Sequence, residues 1–230
     1  MALPPLSNRL MSAVPYVREG AFVADIGTDH AYLPIYLCGK GKIRGAVAAD
    51  IGKGPLAIAT ANVRENGLSD RISTCLSDGL KNIQPYAPTD IIVFGMGGEL
   101  IASILRAAPW LKDADIRLIL QPMTKSEILR AYLYESGFAV IGESLSEDDG
   151  RVYQTVCAAN DGKKRNDTPL GLLVGKQNLE RGGDLLCRLL TAKQKTLSEI
   201  YNAKTAAGLC AAYEKDLLTE IENYKKEMPL

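Results

Sequence analysis

The chain has 230 residues, of which 47% are apolar and 23% charged, the composition of an ordinary globular protein with one large domain or two smaller ones. Its 27 basic and 27 acidic side chains cancel, so a nucleic-acid site has to be a local patch of the surface. Five scattered cysteines and a single histidine make a zinc site hard to assemble, and no apolar run approaches the roughly 18 residues of a membrane span. We therefore expect a cytoplasmic protein without a metal ion and without a membrane partner.

The first 160 residues alternate short apolar runs with helical patterns. Runs that are apolar throughout are typical of parallel strands covered by helices on both faces. Two later runs, 138–145 and 151–159, flank a polar turn and predict an antiparallel hairpin at the sheet edge. The region is thus predicted to be an α/β doubly wound sheet, with strands at 21–25, 44–50, 72–76, 91–94 and 117–120 and helices at 6–18, 53–66, about 98–107 and about 124–136.

A polar, turn-rich segment at 160–167 marks a domain boundary, so we predict domains at 1–160 and 161–230. Beyond the boundary, apolar residues recur at helical spacing from about 183 to 227, and Ala206-Ala207-Gly208 can break this pattern into two antiparallel helices. We expect this hairpin to pack on itself and on the α/β domain; an extended, dimerising coil is the alternative. The protein is accordingly expected to be a monomer or a weak dimer.

The first predicted strand runs into the sequence Asp25-Ile-Gly-Thr-Asp-His-Ala-Tyr-Leu-Pro34. Ligands of open α/β sheets bind outside the carboxyl ends of the strands, so this loop lies where binding is expected. Gly27 permits a tight turn, but the later glycines of the G-x-G-x-x-G dinucleotide motif are absent, and Asp29 stands where a pyrophosphate would approach. The loop therefore disfavours NAD and FAD.

Polar or glycine-rich residues also follow the other four strands. Asp50 ends the second strand at a place where an acidic residue accepts ribose hydroxyls. Asp78, in Ser77-Asp78-Gly79 after the third strand, can accept a hydrogen bond from the exocyclic amine of adenine. The fourth strand is followed by Gly95-Met96-Gly97-Gly98 and the fifth by Gln121-Pro122-Met123. A ligand with ribose and adenine but no phosphates is S-adenosylmethionine.

Taken together, these motifs resemble the bacterial tRNA (adenine-N1) methyltransferases that modify position 22 of tRNA, the TrmK family. The resemblance covers residues 6 to about 159, and by architecture alone the helical tail. It implies a class I methyltransferase domain with a Rossmann-like doubly wound sheet, a C-terminal coiled-coil hairpin that helps to hold tRNA, and S-adenosyl-L-methionine as cofactor. The predicted cofactor-binding residues are Asp25, Gly27, Thr28, Asp50, Ile51, Asp78, Gly79, Gly95, Met96 and Gly97.

In such an enzyme the adenine N1 atom attacks the methyl group and becomes cationic, so a nearby carboxylate would stabilise the transition state. Asp29 is the candidate for that catalytic role; accepting a proton from the exocyclic amine, or capping the next helix, are its alternatives. His30 is the second catalytic candidate, as a general base. Its alternative is a helix-entry residue that hydrogen-bonds to the backbone.

We predict that the tRNA substrate contacts Gln121 and Pro122 after the fifth strand, and the basic cluster Lys163, Lys164 and Arg165. Taken alone, that cluster also fits a solvated linker. Three other functions compete with RNA methylation. A small-molecule methyltransferase would have no use for the long helical tail, and a nucleotide-dependent oxidoreductase is disfavoured by the broken glycine motif. A non-catalytic assembly protein would use the tail to dimerise.

Overall fold

The computed structural model describes residues 3–112 and 115–227, and the chain divides into two compact units between Asn166 and Asp167. The predicted boundary lay six residues earlier, after residue 160. The segment between the two positions belongs to the first unit because its backbone is tied there: the amide of Asp161 donates to the carbonyl of Gly137, and that of Arg165 to the carbonyl of Tyr134.

A seven-stranded sheet in the order β3-β2-β1-β4-β5-β7-β6 forms the frame of the first unit. The first five strands are parallel, and the last two form the antiparallel hairpin that the sequence predicts at the sheet edge. All five predicted parallel strands are confirmed to within two residues at each end. The strands are β1 (Ala21–Ile26), β2 (Ile43–Asp50), β3 (Ile72–Leu76), β4 (Asp90–Met96), β5 (Arg117–Pro122), β6 (Phe138–Asp148) and β7 (Arg151–Asn160).

Three helices of the first unit, those after β2, β4 and β5, lie where the sequence predicts them. The helices described in this unit are α1 (Asn8–Met11), α2 (Tyr32–Gly39), α3 (Lys53–Glu65), α4 (Gly98–Arg106) and α5 (Ser126–Glu135), with short 3-10 turns at Val14–Tyr16, Gln84–Tyr86 and Pro109–Lys112. The predicted helix at 6–18 is wrong. Pro15 has no amide hydrogen to continue an α-helix, so the segment splits into α1 and a 3-10 turn.

The sheet is buried on both faces, because successive side chains of a strand point to opposite sides. Ile91 and Val93 pack on one face with residues of α4 and α5, whereas Ile92 packs on the other face with residues of α2 and α3. All three are fully buried. This arrangement gathers the carboxyl ends of the parallel strands along one edge, which is where the loops leading into the helices are exposed.

Up to residue 227, the second unit contains four helices, α6 (Pro169–Val174), α7 (Lys176–Arg181), α8 (Asp184–Ala206) and α9 (Ala212–Glu227). The long helices α8 and α9 are antiparallel: Lys204 bonds to Glu214 at 2.7 Å near the turn, and Lys225 to Gln194 at 3.3 Å further along. The predicted break at 206–208 is confirmed, and Gly208 has the positive φ of 68° that the turn requires. No helix in the described ranges has the length and apolar character needed to cross a membrane.

Candidate functional site

The ends of the parallel strands bring the predicted cofactor residues to one edge of the sheet. Strand β1 pairs with β2 on one side and with β4 on the other, so that Ile26 lies beside Ala49 and Val93. The loops after β1, β2 and β4 therefore start next to one another. This juxtaposition is what the sequence analysis expected from a ligand site of an open α/β sheet.

The loop after β1 turns sharply against the end of β2. The amides of Gly27 and Thr28 both donate to the carbonyl of Ala49, at 2.9 and 3.0 Å. Gly27 has a φ of +72°, and a Cβ atom added there would lie 2.3 Å from the methyl group of Met96. The left-handed backbone favours glycine at this position, and any larger residue would also displace the end of the Met96 side chain.

Asp25 lies beneath this turn with a buried carboxylate. It accepts a hydrogen bond of 2.6 Å from the hydroxyl of Thr28, which is also buried. Burial raises the pKa of Asp25 to about 6, with further increases from the charges of Asp29 and Asp50 and a decrease from the Thr28 hydroxyl. No basic side chain pairs with this carboxylate in the described ranges. The site therefore offers a buried negative charge to a cationic ligand.

A cavity of about 210 Å³ opens beside Asp25. Both polar and apolar side chains surround it, together with two glycines of the strand ends. Asp29 and Arg9 are its other charged residues. The lining residues are Arg9, Leu10, Asp25, Gly27, Asp29, Tyr32, Leu33, Phe94 and Gly95. Nowhere in the described ranges are three or more His, Cys, Asp or Glu side chains grouped to hold a metal ion.

The two candidate catalytic residues, Asp29 and His30, form a pair in the same loop. The Nε2 atom of His30 lies 3.0 Å from Oδ1 of Asp29, whose side chain is 78% exposed. Both His30 and Ala31 have positive φ values, 61° and 56°, an uncommon conformation for residues other than glycine. The side chain of Asn62 supports this backbone by donating to the carbonyl of His30 at 2.9 Å.

This geometry excludes one alternative role for Asp29. Ala31 is the N-cap of helix α2, and no side chain caps that helix, so the capping interpretation of Asp29 is wrong. His30 directs Nε2 at a carboxylate, while its Nδ1 atom is buried without a hydrogen-bond partner in the described structure. Asp29 thus lies at the cavity, and the Nε2 atom of His30 lies beside its carboxylate.

The loop after β2 exposes an apolar side chain, that of Ile51, and the loop after β3 exposes a carboxylate, that of Asp78. Oδ1 of Asp50 accepts a hydrogen bond of 2.7 Å from the amide of Gly52, and the neighbouring Ile51 is 71% exposed. Asp78 forms an exposed ion pair with Lys81 through one of its carboxylate oxygens, at 2.5 Å. Gly79 has a positive φ of 58° and lies against Ile104.

The glycines at the end of β4 and in the loop after it make a second place of close approach. Gly95 has a φ of +78°, and Gly97 is the N-cap of helix α4. A Cβ atom on Gly98 would lie 2.1 Å from the carbonyl oxygen of Lys125, so the loops after β4 and β5 touch through their backbones. Of these glycines, Gly95 lines the cavity, next to Phe94.

Gln121 and Pro122, predicted to contact substrate, are both buried. The Gln121 side chain is used inside the protein: its Nε2 donates to the carbonyl of Arg9 at 3.2 Å, and its Oε1 accepts from the guanidinium of Arg9 at 3.3 Å. Gln121 thus positions a residue of the cavity wall. The sequence analysis missed Arg9, because one arginine in a short N-terminal segment carries no pattern.

The basic cluster at 163–165 lies away from the cavity. Strand β7 runs antiparallel to β5, and Ala159 pairs with Arg117, the first residue of β5. Residues that follow β7 are therefore at the amino edge of the parallel strands, opposite the cofactor loops. There Arg165 pairs with Asp161, and Lys164 lines a depression of about 460 Å³ together with Arg106 and Lys112.

Comparison with known proteins gives a consistent result. The model of the methyltransferase domain family matches residues 6–156. A tRNA (adenine(22)-N(1))-methyltransferase of Bacillus subtilis (strain 168) is 40% identical over 174 residues, which are 74% of this chain and 73% of that protein.

Solved structures extend the likeness to nearly the whole chain. The B. subtilis m1A22 tRNA methyltransferase TrmK is 34% identical with a TM-score of 0.80, covering 96% of each chain. The TrmK of M. capricolum, solved in complex with the cofactor product S-adenosyl-homocysteine, is 27% identical with a TM-score of 0.81, covering 95% of this chain and 97% of that one.

Proposed function

The chain belongs to the tRNA (adenine(22)-N(1))-methyltransferase family, and we propose that it transfers a methyl group from S-adenosylmethionine to N1 of adenine 22 in tRNA. The single observation that carries this proposal in the structure is the loop after β1. There, Gly27 lines a cavity of about 210 Å³ together with Asp25, whose carboxylate is buried and has no basic partner in the described ranges. A buried negative charge beside a cavity suits a ligand that carries positive charge and lacks phosphates.

The residues present fit S-adenosylmethionine, which supplies a reactive methyl group on a positively charged sulfur when it is bound. Asp25 attracts its cationic end, since the carboxylate is buried without a basic partner. Asp50 accepts hydrogen bonds from the ribose hydroxyls, while Gly52 holds the other carboxylate oxygen in place. Ile51 covers the adenine ring with an exposed apolar surface. Asp78 accepts from the exocyclic amine of adenine, while Lys81 contacts one of its two carboxylate oxygens.

Asp29 and His30 act on the target base. Asp29 is exposed at the cavity, so its carboxylate is accessible to a base that enters from solvent. Negative charge at this place stabilises the positive charge that grows on the adenine ring as N1 is methylated. His30 holds the Asp29 carboxylate through Nε2 and thereby sets its direction. Adenine N1 must be unpaired before it can react, so the base has to leave its stack.

The tRNA extends beyond this cavity. Lys163, Lys164 and Arg165 lie at the opposite edge of the sheet, so we assign them to the RNA backbone at a distance from the reacting base. Such contacts contribute affinity that decreases with salt concentration. An enzyme with this substrate works in the cytoplasm.

The proposal is tested by incubating the protein with S-adenosylmethionine labelled on the methyl group and unmodified tRNA, followed by mapping of the labelled nucleoside. We expect 1-methyladenosine at position 22. The matched control is the same tRNA with guanine at position 22, which should take up no label. Label at another position, or label that appears only on small molecules from a cell extract, would contradict the proposal.

A further inference from the structure

The amino edge of the parallel strands carries a depression of about 460 Å³, which we call the amino-edge depression. It is formed by the ends of α4 and α5, the 3-10 turn Pro109–Lys112 and the segment after β7. Arg106, Lys112 and Lys164 are its cations, and Glu135 is its one acidic residue in the described part of the chain. Positive charges thus exceed negative ones by two, in a protein whose total charge is zero.

The three cations are not paired with acidic side chains. None of them forms an ion pair within residues 3–112 and 115–227. In the adjoining segment, by contrast, Arg165 pairs with Asp161, so its charge is already balanced. Unpaired cations around a concave surface raise the local potential and attract an anion from outside the protein. The amino-edge depression is therefore a candidate anion site that is separate from the cofactor cavity.

The structure holds two of these cations at the depression. The guanidinium of Arg106 lies over the ring of Tyr132, 5.0 Å from its centre, and forms no hydrogen bond in the described ranges, so its N–H donors remain available. Lys164 belongs to a segment that is tied to α5, because the amide of Arg165 donates to the carbonyl of Tyr134 at 3.1 Å. The backbone that carries these cations is thus ordered before a ligand arrives, which lowers the entropy cost of binding.

We propose that the amino-edge depression binds one ribose phosphate unit of the tRNA backbone. Its three cations donate to the phosphate, and Glu135 accepts a hydrogen bond from the 2′-hydroxyl of the ribose. The proposal rests on the proposed function, which makes tRNA the substrate, and it adds a contact that lies away from the reacting base. A planar guanidinium such as that of Arg106 donates two parallel hydrogen bonds to a phosphate, whereas the lysines act as point charges.

Glu135 is the residue that distinguishes a ribose phosphate from a phosphate alone. Its side chain is exposed at the end of α5 and forms no ion pair in the part of the chain that the structure describes. The phosphate oxygens of a nucleic-acid backbone accept hydrogen bonds and donate none, so by themselves they repel a nearby carboxylate. The 2′-hydroxyl supplies the missing donor, and RNA has this group whereas DNA lacks it.

A free nucleotide is the competing ligand for the amino-edge depression. Recognition of an unpaired base commonly uses an accessible aromatic face on which the base stacks. Tyr132 is the one aromatic side chain among the described residues that line the depression, and it is 8% exposed with Arg106 over its ring. The depression therefore lacks a stacking surface for a base, and its charged lining suits the backbone of an RNA strand.

Helix α4 connects the two edges of the sheet at which the tRNA is bound. It begins at Gly98, in the loop after β4, and ends at Arg106 in the amino-edge depression. Nine residues of α-helix rise about 13 Å. This length corresponds to roughly four steps of 3.4 Å along a nucleic-acid strand, so one RNA strand of several nucleotides spans the helix from end to end.

The first experiment measures the affinity of the full chain for unmodified tRNA at several salt concentrations. Replacing one cation, as in Lys164→Gln, should weaken binding about twofold to tenfold at low salt, the effect of one polar contact at an exposed site. A variant that combines Arg106→Gln, Lys112→Gln and Lys164→Gln should lower the slope of log affinity against log salt concentration by about one, the value for one phosphate, and not by about three.

Arg44→Gln is the matched control for these substitutions. Arg44 is also exposed and lies over an aromatic ring, that of Phe22 at 5.9 Å, but it lines neither the cofactor cavity nor the amino-edge depression. This variant should leave the tRNA affinity and the salt dependence unchanged. All variants should bind S-adenosylhomocysteine as the parent does, which shows that the fold is intact.

The second experiment tests the ribose contact through Glu135→Ala. The probes are one tRNA sequence made of ribonucleotides and the same sequence made of deoxyribonucleotides. The preference of the protein for the RNA over the DNA should decrease about threefold to tenfold, because the acceptor for the 2′-hydroxyl is gone. Glu65→Ala is the matched control, since Glu65 is likewise exposed as the last residue of a helix, α3, and lines neither cavity.

Unchanged tRNA affinity and salt slope in the combined variant would overturn the proposal, and methylation of adenine 22 by the parent would still support the proposed function. An unchanged RNA preference in Glu135→Ala would refute the ribose contact. Adenosine 5′-monophosphate that binds the parent but not the combined variant, with equal tRNA affinities, would assign the depression to a free nucleotide instead. If Arg106→Gln does not fold, the exposed pair Lys112→Gln and Lys164→Gln must show the loss. A parent that binds tRNA in the expected way but methylates no adenine would refute only the proposed function.

Discussion

The hydroxyl of Thr28 donates a hydrogen bond of 2.6 Å to the carboxylate of Asp25, and both side chains are buried at the end of strand β1. One hydroxyl does not replace the water that a carboxylate loses on burial, so the pKa of Asp25 rises to about 6. Without a ligand, the charged carboxylate of Asp25 therefore lowers the stability of the fold. A cationic ligand that pairs with Asp25 offsets the cost of burying its charge. Part of the affinity for the cofactor therefore comes from removing this cost.

Replacing Asp25 with Asn should stabilise the ligand-free protein at pH 7.5. The raised pKa means that the folded state binds more protons than the unfolded state between about pH 4 and pH 6. Asp25 therefore destabilises the fold as the pH rises through about 6, by up to about 3 kcal/mol for a shift of this size. The gain from Asp25→Asn should be largest above pH 7 and vanish below about pH 4, as measured by urea unfolding across this range.

The control for this measurement is Asp149→Asn, at an exposed position in the turn between β6 and β7. Its stability difference from the parent should not follow the pH in the same way. If Asp25→Asn is no more stable than the parent at pH 7.5, the buried carboxylate of Asp25 does not destabilise the fold. The same variant should bind S-adenosylhomocysteine more weakly, since the charge that attracts the ammonium is gone.

Asp50→Ala should weaken cofactor binding about tenfold to a hundredfold, since a charge-assisted hydrogen bond to a ribose hydroxyl is typically worth about 1.5–3 kcal/mol. Asp50→Asn is a useful partner, because its amide oxygen can still accept the hydrogen bond from Gly52. It should keep the loop in place and lose affinity nonetheless. Calorimetry with 5′-methylthioadenosine should show the same loss, because that ligand retains the ribose. An affinity equal to that of the parent would remove Asp50 from the site.

Gly27→Ala should impair the cofactor site more than the fold. The matched variant is Gly20→Ala, at a position with nearly the same backbone, φ +70° against +72°, but with no atom within 4 Å of an added Cβ. Both variants carry the cost of a left-handed alanine, roughly 1–2 kcal/mol, whereas only Gly27→Ala displaces Met96. We expect the two variants to have similar melting temperatures. Only Gly27→Ala should lose affinity for S-adenosylhomocysteine. Equal affinities of the two variants for S-adenosylhomocysteine would show that the Met96 side chain can move without impairing the cofactor site.

The strands and the cofactor loops were predictable from the sequence because they depend on local signals. A buried parallel strand is a continuous apolar run, as in Ile91-Ile92-Val93, and the loop after it starts where that run meets glycine or aspartate. The fold rules then place all such loops at one edge. Asp25 and Gly95, from two different strands, accordingly line one cavity, and Asp50 ends the neighbouring strand β2; their role in binding a cofactor stays a prediction.

The parts that failed depend on contacts distant in sequence. The N-terminal segment reads as one helix, but Ser12 bonds to Thr155 on β7 at 2.6 Å, and this contact helps to hold the chain in a short helix and a 3-10 turn. Gln121 lies at the carboxyl end of β5, where site residues are expected, yet it bonds to Arg9, 112 positions away. Only the three-dimensional structure reveals that Gln121 serves the site through a second residue.

Asp29→Asn should lower kcat far more than it changes the affinity for cofactor or tRNA. The substitution keeps size and one acceptor oxygen for His30, which lies 3.0 Å from Oδ1, so it removes charge with little change in shape. Because Ala31 and not Asp29 caps helix α2, a loss cannot be ascribed to the helix. Removing a preorganised electrostatic contact to the transition state costs about 3 kcal/mol, or roughly a hundredfold in rate.

Single-turnover rates at saturating cofactor and tRNA separate the possible roles of Asp29. A carboxylate that stabilises the cationic adenine affects the rate of the chemical step and leaves the affinity for S-adenosylhomocysteine within about twofold of the parent. If Asp29 instead bound the ammonium of the cofactor, affinity would fall and the saturated rate would be preserved. Asp149→Asn, which makes the same chemical change at an exposed turn, should leave both quantities unchanged. A saturated rate for Asp29→Asn within about twofold of the parent would exclude the catalytic role, because charge at this position would then be irrelevant to methyl transfer.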